Sequence, residues 1–406
     1  MSNLKSHPAK GGTNLKFISI FYLLTIIFLF LYSYTQVDLN LTLSQWSIWQ
    51  VIQKWFQNIG WFQRPFSTVL YTFILFLLVI HYFLFLWLVK KNKLSIGQFW
   101  RIIIPASIIL LFAYNAFSYD LFNYMFDARI FTFHHQNPYL HKALDYPQDP
   151  WINFMRWTHR TYPYGPVWLG LTIPLSFIGM QFFLPTLFLF KALMVGSFLG
   201  TVYFIGKILE KISPENKMLG MAFFAFNPLI VMESLVSSHN DIVMMFFLML
   251  SLYLLMRKKY IHSIILLLLS IGIKFATGFM FPFYLLIYFL QKRKKEINWE
   301  VLFGVMAILM IIPVILASYR TNFQPWYLLN ILPFTSVVAK RYYFFIPSVV
   351  LSLISIFQYL PFLYLGNWDK PVPSILFWMT TGSILFSIIL VVIWFFRLAI
   401  YKRRIK

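Results

Sequence analysis

Polar and ionisable side chains are concentrated in one stretch of this chain, residues 119–166, between strongly apolar segments. The stretch YDLFNYMFDARIFTFHHQNPYLHKALDYPQDPWINFMRWTHRTYPYGP holds four of the twelve acidic residues and four of the eight histidines. It begins with Asp120 directly after an apolar run. An aspartate in that position can act as a general base, or it can simply cap a helix. The residue types therefore predict a reaction site, with helix capping as the simpler interpretation of Asp120.

The spacing over residues 119–131 predicts a helix that lies along the membrane interface. Its polar residues would share one face, and its apolar side chains would point the other way. The residues of the polar face are Asp120, Asn123, Tyr124 and Asp127. The two carboxylates would be about 10 Å apart along the axis, which is too far for a pair that shares one proton. Asp120 and Asp127 are therefore expected to have separate roles.

Two short motifs in the same stretch pair a rigid proline with aromatic rings. NPY contains Asn137 and Tyr139, and YPYGP contains Tyr164. These three residues are candidates for substrate binding. Turn formation, together with the aromatic belt at the membrane surface, is the simpler alternative for each motif.

A second group of ionisable residues lies in FNPLIVMESLVSSHND, residues 226–241. Glu233 stands inside an apolar run, where an ionised carboxylate costs about 2.5–3.5 kcal/mol, so it needs a partner or a proton. His239, Asn240 and Asp241 follow at the end of the run and are candidate substrate ligands. Asp241 could instead cap the returning helix.

Cationic and aromatic residues further along the chain suit a lipid phosphate and a sugar. Lys274 stands among apolar residues at the predicted tip of a helical hairpin, and Arg320 follows a later apolar helix. Both could bind phosphate, because a cation attracts it strongly where the dielectric is low. Gln324, Trp326 and Tyr327 could form an aromatic and hydrogen-bonding wall for a sugar. Snorkelling of the lysine and the aromatic belt are the simpler alternatives.

Several kinds of site are missing from the sequence. No metal-ligand spacing occurs, because His134 and His135 are adjacent and would diverge on a helix, and DxD is absent. Phosphate-binding glycine loops, nucleophile elbows and dinucleotide fingerprints are absent too. The chain has no cysteine, which excludes disulfides and thiolate metal sites. We therefore expect no metal, no cofactor and no nucleotide-sugar chemistry.

Composition places these residues in a polytopic membrane protein. The chain is 60% hydrophobic and 11% charged, whereas globular chains carry roughly 25% charged residues. Repeated apolar runs long enough to span a bilayer predict an all-α integral membrane bundle of about 12 or 13 helices, forming one domain over residues 1–406. The two apolar runs between Gly165 and Lys207 leave either a partial, re-entrant span or an extra crossing open.

The formal net charge of +22 does not indicate a nucleic-acid partner. The basic residues form short clusters between apolar runs, which is the positive-inside pattern. With those clusters in the cytoplasm, both chain ends are cytoplasmic, and residues 119–165 form an extracytoplasmic loop on the same side as the other polar clusters. The run from Phe17 to Tyr34 is expected to be an anchor helix. Basic residues at the two ends are Lys5, Lys10, Lys16, Lys402, Arg403, Arg404 and Lys406.

The order of these motifs resembles that of the integral-membrane glycosyltransferases with the GT-C fold, which use polyprenyl-phosphate sugar donors. The likeness is greatest to the bacterial polyprenol-phosphate-mannose-dependent α-mannosyltransferases of lipoglycan synthesis, and weaker to the first mannosyltransferase of GPI-anchor synthesis. It covers roughly residues 115–335. The motifs that carry it are SYDLFNYMFDARIF, NPY, YPYGPVWL, FNPLIVMESLVSSHND, IK and QPWYLL. The family often has a glycine-rich turn before NPY, where this chain has FTFHHQ.

The resemblance implies that Asp120 is the catalytic residue and that HND and the Lys274 hairpin help bind donor and acceptor. It implies juxtamembrane helices in the 119–165 loop, a polyprenyl-phosphate-linked hexose, most often mannose, as donor, and a glycan or glycolipid acceptor at the plasma membrane. A polyprenyl phosphate is a good leaving group, so one carboxylate base with nearby cations is chemically sufficient. Single displacement on a β-linked donor would give an α-linked product, in a reaction expected to need no metal.

A non-enzymatic transporter or flippase of lipid-linked sugar or polysaccharide is the main alternative. Transporters commonly show internal repeats and ionisable residues near mid-membrane on several helices. This sequence has no evident repeat, and its polar clusters gather on one predicted face. Both features favour the enzyme.

Overall fold

The computed structural model describes the backbone of residues 12–405 and the side chains of residues 15–401. Lys5, Lys10 and residues 402–406, the predicted basic ends, lie outside the described side chains. The described chain is helical and forms no strand, only an isolated bridge between Lys142 and Thr161. The predicted all-α class is confirmed.

Long α-helices alternate with short ones, several of which are broken by proline or glycine. The α-helices are α1 Gly12–Ser33, α2 Ser47–Gln57, α3 Arg64–Lys90, α4 Ile96–Leu111, α5 Asp120–Thr132, α6 Pro166–Ile178, α7 Phe183–Ile212, α8 Lys217–Ala225, α9 Pro228–Val231, α10 Asp241–Met256, α11 Tyr260–Ile273, α12 Phe281–Lys292, α13 Trp299–Leu309, α14 Ile311–Thr321, α15 Leu332–Val337, α16 Tyr342–Ile356, α17 Leu360–Leu365 and α18 Val372–Ile405. Short 3-10 segments lie at Tyr34–Gln36, Ala143–Asp145, Pro150–Phe154, Pro214–Asn216, Phe275–Met280, Pro325–Asn330 and Phe357–Tyr359, and π-helical turns at Asn58–Phe62 and Met232–Val236.

Among the described residues, six helices are long and apolar enough to span a bilayer, which makes this an integral membrane protein. They are Leu15–Gln36, Arg64–Lys90, Phe183–Ile212, Trp299–Thr321, Tyr342–Leu365 and Val372–Tyr401. A bent pair could form a seventh span. Four other apolar helices are shorter than a full span: Ile96–Leu111, Pro166–Ile178, Asp241–Met256 and Tyr260–Ile273. With the six long helices and the bent pair they make eleven candidate membrane segments among the described residues, against the predicted 12 or 13.

One helix break that was not expected from the sequence occurs at a proline. The bent pair, Pro214–Ala225 and Pro228–Val236, turns by 55°. The Asn227 side chain caps its second half by accepting from the Leu229 N–H at 3.0 Å, since Pro228 has no N–H to offer. The predicted breaks near Gly179 and after Ile273 are also present, between α6 and α7 and between α11 and α12.

The short helix α2 was not expected from the sequence. Its glutamines face inward: Gln53 donates to the Leu41 carbonyl at 2.7 Å, and Gln57 donates to the Asp38 carbonyl at 2.9 Å. Four of its apolar side chains, Ile48, Val51, Ile52 and Trp55, are exposed, with 60% of Trp55 accessible. Helix α2 is therefore amphipathic, with its polar side turned toward the protein. Its sequence contains no long apolar run of the kind that predicts a membrane span.

The helix that carries Asp120 differs from its prediction. Its bounds, Asp120–Thr132, match the expected helix within one residue. It does not lie with one face open at an interface, because Asn123 and Tyr124 on the polar face are buried, as are the apolar side chains of the other face. α5 packs against α6 and α7, and only Asp120 and Asp127 of its polar face stay partly accessible.

Candidate active site

Three segments that are distant in sequence meet around the ring of His239. Asp120, at the start of α5, places Oδ2 3.5 Å from His239 Nδ1. Glu233, in the π-helical turn, places Oε2 3.3 Å from Nε2 of the same ring. The Trp326 indole stacks on the imidazole, with ring centroids 4.1 Å apart. The side chains of His239 and Glu233 are fully buried, whereas 15% of the Asp120 side chain is accessible, so Asp120 is the end that a substrate can reach.

Neither aspartate that could cap a helix does so. Asp120 is the first residue of α5, and Tyr119 before it provides no capping side chain. Asp241 likewise opens α10, and its side chain makes no capping hydrogen bond. Its Oδ2 instead lies 2.6 Å from Lys274 Nζ. Both carboxylates therefore serve contacts other than capping.

The ion pair between Lys274 and Asp241 fixes the tip of the α11–α12 hairpin. Asp241 is fully buried, and 26% of the Lys274 side chain is accessible. The lysine therefore does not snorkel freely, since a buried carboxylate holds its ammonium group. Part of the Lys274 side chain still faces outward, beside the buried Asp241.

Tyr124 joins α5 to the HND motif. Its hydroxyl donates to Asn240 Oδ1 at 3.3 Å, and its ring packs edge-on against Tyr164 and Trp168, with centroids 5.1 and 5.2 Å away. Burial raises the pKa of the Tyr124 and Tyr164 phenols well above the usual value. Both hydroxyls therefore stay protonated. The Tyr124 hydroxyl is committed to Asn240, whereas the partly accessible Tyr164 can donate a hydrogen bond to a sugar.

Electrostatic interactions keep Asp120 ionised. Burial would raise the pKa of its carboxyl, but attraction to His239, with further contributions from Lys274 and Arg160, holds that pKa below its ordinary value. Burial also opposes a charge on His239, yet Asp120 and Glu233 together raise the pKa of the imidazole to about 9. At neutral pH, His239 is therefore an imidazolium between two carboxyl groups.

Comparison with known proteins identifies the family to which this site belongs. A family model described as the N-terminal domain of alpha-(1->6)-mannopyranosyltransferases matches residues 28–290, more than half of the chain. The chain belongs to this family. No curated protein and no solved structure gives a match. The chain is thus a glycosyltransferase of a mannosyltransferase family, and the resemblance found in the motifs is confirmed.

The matched region contains Asp120, the HND motif and Lys274, which the structure brings together. Asp127 of this mannosyltransferase differs from Asp120 in its charge state. Burial raises the pKa of Asp127 to about 7, against the attraction of Arg160 and with a contribution from Asp120. Near neutral pH it is partly protonated and can donate a hydrogen bond, which suits separate roles for the two acids.

The NPY motif lies beside the site and forms a turn. Asn137 Oδ1 accepts from the Tyr139 N–H at 3.0 Å, which is the expected turn chemistry. The Tyr139 hydroxyl donates to the Tyr164 carbonyl at 3.2 Å. The Asn137 and Tyr139 side chains are exposed, and their role in substrate binding stays a prediction.

The segment Arg320–Tyr327 reaches the site through Trp326. Arg320 is exposed at the end of α14 and forms no ion pair with any described residue. Gln324 Nε2 donates to the Thr321 carbonyl at 3.3 Å, and the Tyr327 hydroxyl lies 2.6 Å from Thr321 Oγ1. Arg320 thus makes no described contact with Lys274 or Asp120. Its predicted role in phosphate binding stays a prediction.

Two buried residues next to the site were missed in the sequence. The Tyr359 hydroxyl donates to Glu233 Oε1 at 2.8 Å. Lys191, fully buried on α7, donates to the Leu235 carbonyl at 2.8 Å and contacts Ser238 Oγ at 3.3 Å. A lysine within the apolar run of α7 is itself a signal, because ionisable residues inside spans are rarely without a function. Nothing in the sequence singles out Tyr359 among 24 tyrosines.

The histidines of residues 119–166 do not converge. His134 Nε2 lies 2.9 Å from Asp149 Oδ2, and the same oxygen accepts from Arg129 Nε at 2.7 Å. His141 pairs with Asp145 at 3.5 Å, apart from that cluster. Among the described residues, no group of three or more His, Asp or Glu side chains is arranged to hold a metal ion.

The glycine of YPYGP allows α6 to approach α11 closely. A Cβ on Gly165 would lie 2.1 Å from the Gly272 carbonyl oxygen, and the Gly165 N–H donates to the Ile273 carbonyl at 3.2 Å. Gly165→Ala is expected to displace the Lys274 hairpin, to destabilise the protein by about 1–3 kcal/mol and to lower transfer by about tenfold or more. Thermal unfolding and initial rates would measure both effects.

Gly170→Ala is the matched control for this substitution. Gly170 lies on the same helix, and a Cβ added to it would meet no other atom within 4 Å. Alanine there is therefore expected to leave activity unchanged and to stabilise α6 slightly. Equal effects of the two substitutions would mean that the close approach at Gly165 is unimportant.

Proposed function

We propose that the chain is a GT-C-type enzyme that transfers a mannosyl residue from a polyprenyl-phosphate-linked donor to a glycan or glycolipid acceptor. The alpha-(1->6) linkage in the family's description is the proposed product linkage. The observation that carries the proposal is the position of Asp120, an ionised and partly accessible carboxylate backed by the buried His239 and Glu233.

In the proposed reaction, Asp120 acts as general base. It takes the proton of the acceptor hydroxyl while that oxygen attacks the anomeric carbon of the donor. The bond from that carbon to the phosphate oxygen breaks, and its electron pair leaves with the polyprenyl phosphate. A single displacement inverts the configuration, so a β-linked donor gives an α-linked product.

The surrounding residues have proposed supporting roles. The partly accessible Lys274 meets the phosphate, and the Asp241 carboxylate holds its ammonium group in place. Tyr164 donates a hydrogen bond to the sugar, Tyr124 supports it by packing against its ring, and Trp326 closes the site behind His239. We propose that these residues suffice without a metal ion.

A reconstituted assay tests this function. Purified protein is incubated with polyprenyl-phosphate-mannose and mannose-containing acceptors in the presence of EDTA. Mass spectrometry should detect an acceptor extended by one hexose, and NMR should show an α-linkage. Movement of the lipid-linked sugar across vesicles without any glycosidic product would instead support the transporter.

The proposed sidedness places the 119–165 loop at the non-cytoplasmic face of the plasma membrane, with both chain ends in the cytoplasm. The natural chain has no cysteine, so one introduced thiol reports on its own position. Asp145→Cys, at an exposed site of the loop, is expected to react with a membrane-impermeant maleimide in intact cells. Lys258→Cys, in the turn after α10, is expected to react only after lysis; the reverse pattern would contradict this topology.

A further inference from the structure

Glu233 is a carboxylate in an unusually costly position. It lies in the π-helical turn of a segment apolar enough to span the membrane, and its side chain is fully buried. Such turns add one residue to a helix and are frequent at functional sites. An ionised carboxylate in that position is costly, because an apolar interior solvates a charge poorly. Because no accessible surface connects it to a substrate, its function has to be exerted through a neighbour.

That neighbour is His239. The backbone N–H of His239 donates to the Glu233 carbonyl at 2.9 Å, and the Glu233 carboxylate faces Nε2 at 3.3 Å. Stacking on Trp326, with planes 15° apart, fixes the plane of the ring. Glu233 has its own support, since Tyr359 donates to its other oxygen at 2.8 Å.

The charges around the ring decide its protonation state. Both nitrogens of His239 face carboxyl oxygens, Asp120 Oδ2 at 3.5 Å and Glu233 Oε2 at 3.3 Å. Neither contact has hydrogen-bond geometry, so both are charge contacts at salt-bridge distance. An imidazolium carries a proton on each nitrogen and attracts both acids, whereas a neutral ring turns a lone pair toward one of them. The geometry therefore calls for a cation between the two acids.

We infer that Glu233 is a positioning residue for the transfer reaction, which holds the His239 imidazolium and thereby keeps the Asp120 carboxylate charged and oriented toward the acceptor. The inference rests on the proposed role of Asp120 as base. No proton passes to His239 in the reaction, because the ring is already protonated. The proton of the acceptor hydroxyl stays on Asp120 until the product leaves.

The consequence is a link between a membrane-buried acid and the pH dependence of the enzyme. Without Glu233, the buried imidazole loses one of its two partners and its pKa falls. A neutral His239 no longer offsets the burial of Asp120, so the pKa of Asp120 rises. The titratable and charged groups that face Asp120 and His239 are Glu233, Lys274, Arg160, Asp127, Asp241, Tyr124, Tyr164 and Tyr327.

Glu233→Gln tests the inference, because it keeps the shape of the side chain and removes its charge. Turnover is measured from about pH 3.5 to pH 8.5, with KM for the donor, after thermal unfolding has shown that the variant folds. The acidic limb of the turnover profile should move up by about one pH unit or more, so on the acidic side of the profile the variant loses up to about tenfold more turnover than the natural protein, while the two keep a constant ratio at pH ~8. KM should change less than about threefold.

A purely structural role predicts a different result. It would lower turnover by the same factor at every pH, and that outcome, or an unchanged profile, overturns the inference. If Glu233→Gln does not fold, His239→Gln removes the same cation and should move the acidic limb in the same direction. An unmoved limb in His239→Gln contradicts the inference equally.

Two outcomes separate the proposed function from the positioning role. If Asp120→Asn keeps its turnover, the proposed function is wrong whatever Glu233→Gln does. If Asp120→Asn is inactive and the acidic limb of Glu233→Gln stays in place, only the positioning role of Glu233 is wrong.

Discussion

Asp120→Asn is expected to lower turnover by about 100-fold to 10,000-fold, the range over which a positioned general base contributes. The amide has the shape of the carboxylate but cannot take a proton from the acceptor hydroxyl. Asp120 is the accessible end of the series Asp120–His239–Glu233. Glu233, the other carboxyl group of that series, is fully buried and cannot replace it. Initial rates with saturating donor and acceptor would measure the loss.

Asp145→Asn is the matched control for this variant. Asp145 lies in the same 119–165 segment, and its side chain is 37% accessible. The Asp145→Asn substitution makes the same chemical change at a site without contact to His239. Its turnover is expected to stay within about twofold of the natural protein. Binding of polyprenyl-phosphate-mannose should persist in Asp120→Asn, since the Lys274 region is unchanged. Near-normal turnover in Asp120→Asn would show that this residue is not the base.

The candidate site could be predicted in part because its main residues interrupt apolar runs. Asp120 and the HND motif each stand at the end of such a run, where an ionisable side chain needs an explanation. Lys274 could be found in the same way, from the break it creates between α11 and α12. Local signals of this kind determine the helix and the turn that carry a residue.

Contacts between distant segments could not be predicted from local signals. The apolar run around Glu233 showed that this acid needs a partner. His239 lies in the same segment, but Tyr359 belongs to a distant one, and only the packing of the two segments brings its hydroxyl to Glu233. Tyr359 is 126 residues away from Glu233 and looks like an ordinary belt tyrosine. The inward-facing glutamines of α2 were missed for a related reason, because their hydrogen bonds to the 37–43 loop exist only in the folded chain.

The wrong expectation for α5 has a physical cause. Alternating polar and apolar faces indicate an amphipathic helix, and an interface with water is its usual place. In the fold, the polar face meets other polar groups instead: Tyr124 bonds Asn240, and Asp120 faces His239. A helix whose polar face is covered by polar residues of neighbouring segments has the same sequence pattern as a helix whose polar face is exposed to water. The sequence alone therefore does not distinguish the two.

Asp149→Asn is expected to unfold the 119–165 segment locally, at a cost of about 3–5 kcal/mol. Asp149 Oδ2 lies 2.7 Å from Arg129 Nε and 2.9 Å from His134 Nε2, and only 6% of the Arg129 side chain is accessible. In the natural protein, Asp149 Oδ1 accepts a hydrogen bond from the Trp151 N–H at 3.0 Å. The amide oxygen of the variant can still accept that bond. It leaves the guanidinium of Arg129 buried without a counter-charge, and this accounts for the size of the effect.

Local opening is best measured by limited proteolysis, because trypsin can cut this segment after Lys142 or Arg156 once it loosens. The cleavage rate of Asp149→Asn should rise by more than about 100-fold over that of the natural protein if opening is in rapid equilibrium. Asp145→Asn removes an exposed acid from the same segment and should change the rate by less than about fivefold, since a surface ion pair contributes at most about 1 kcal/mol. Equal rates for the two variants would show that the buried pair does not hold the segment closed, and that α5 keeps Asp120 in place through its packing against α6 and α7 alone.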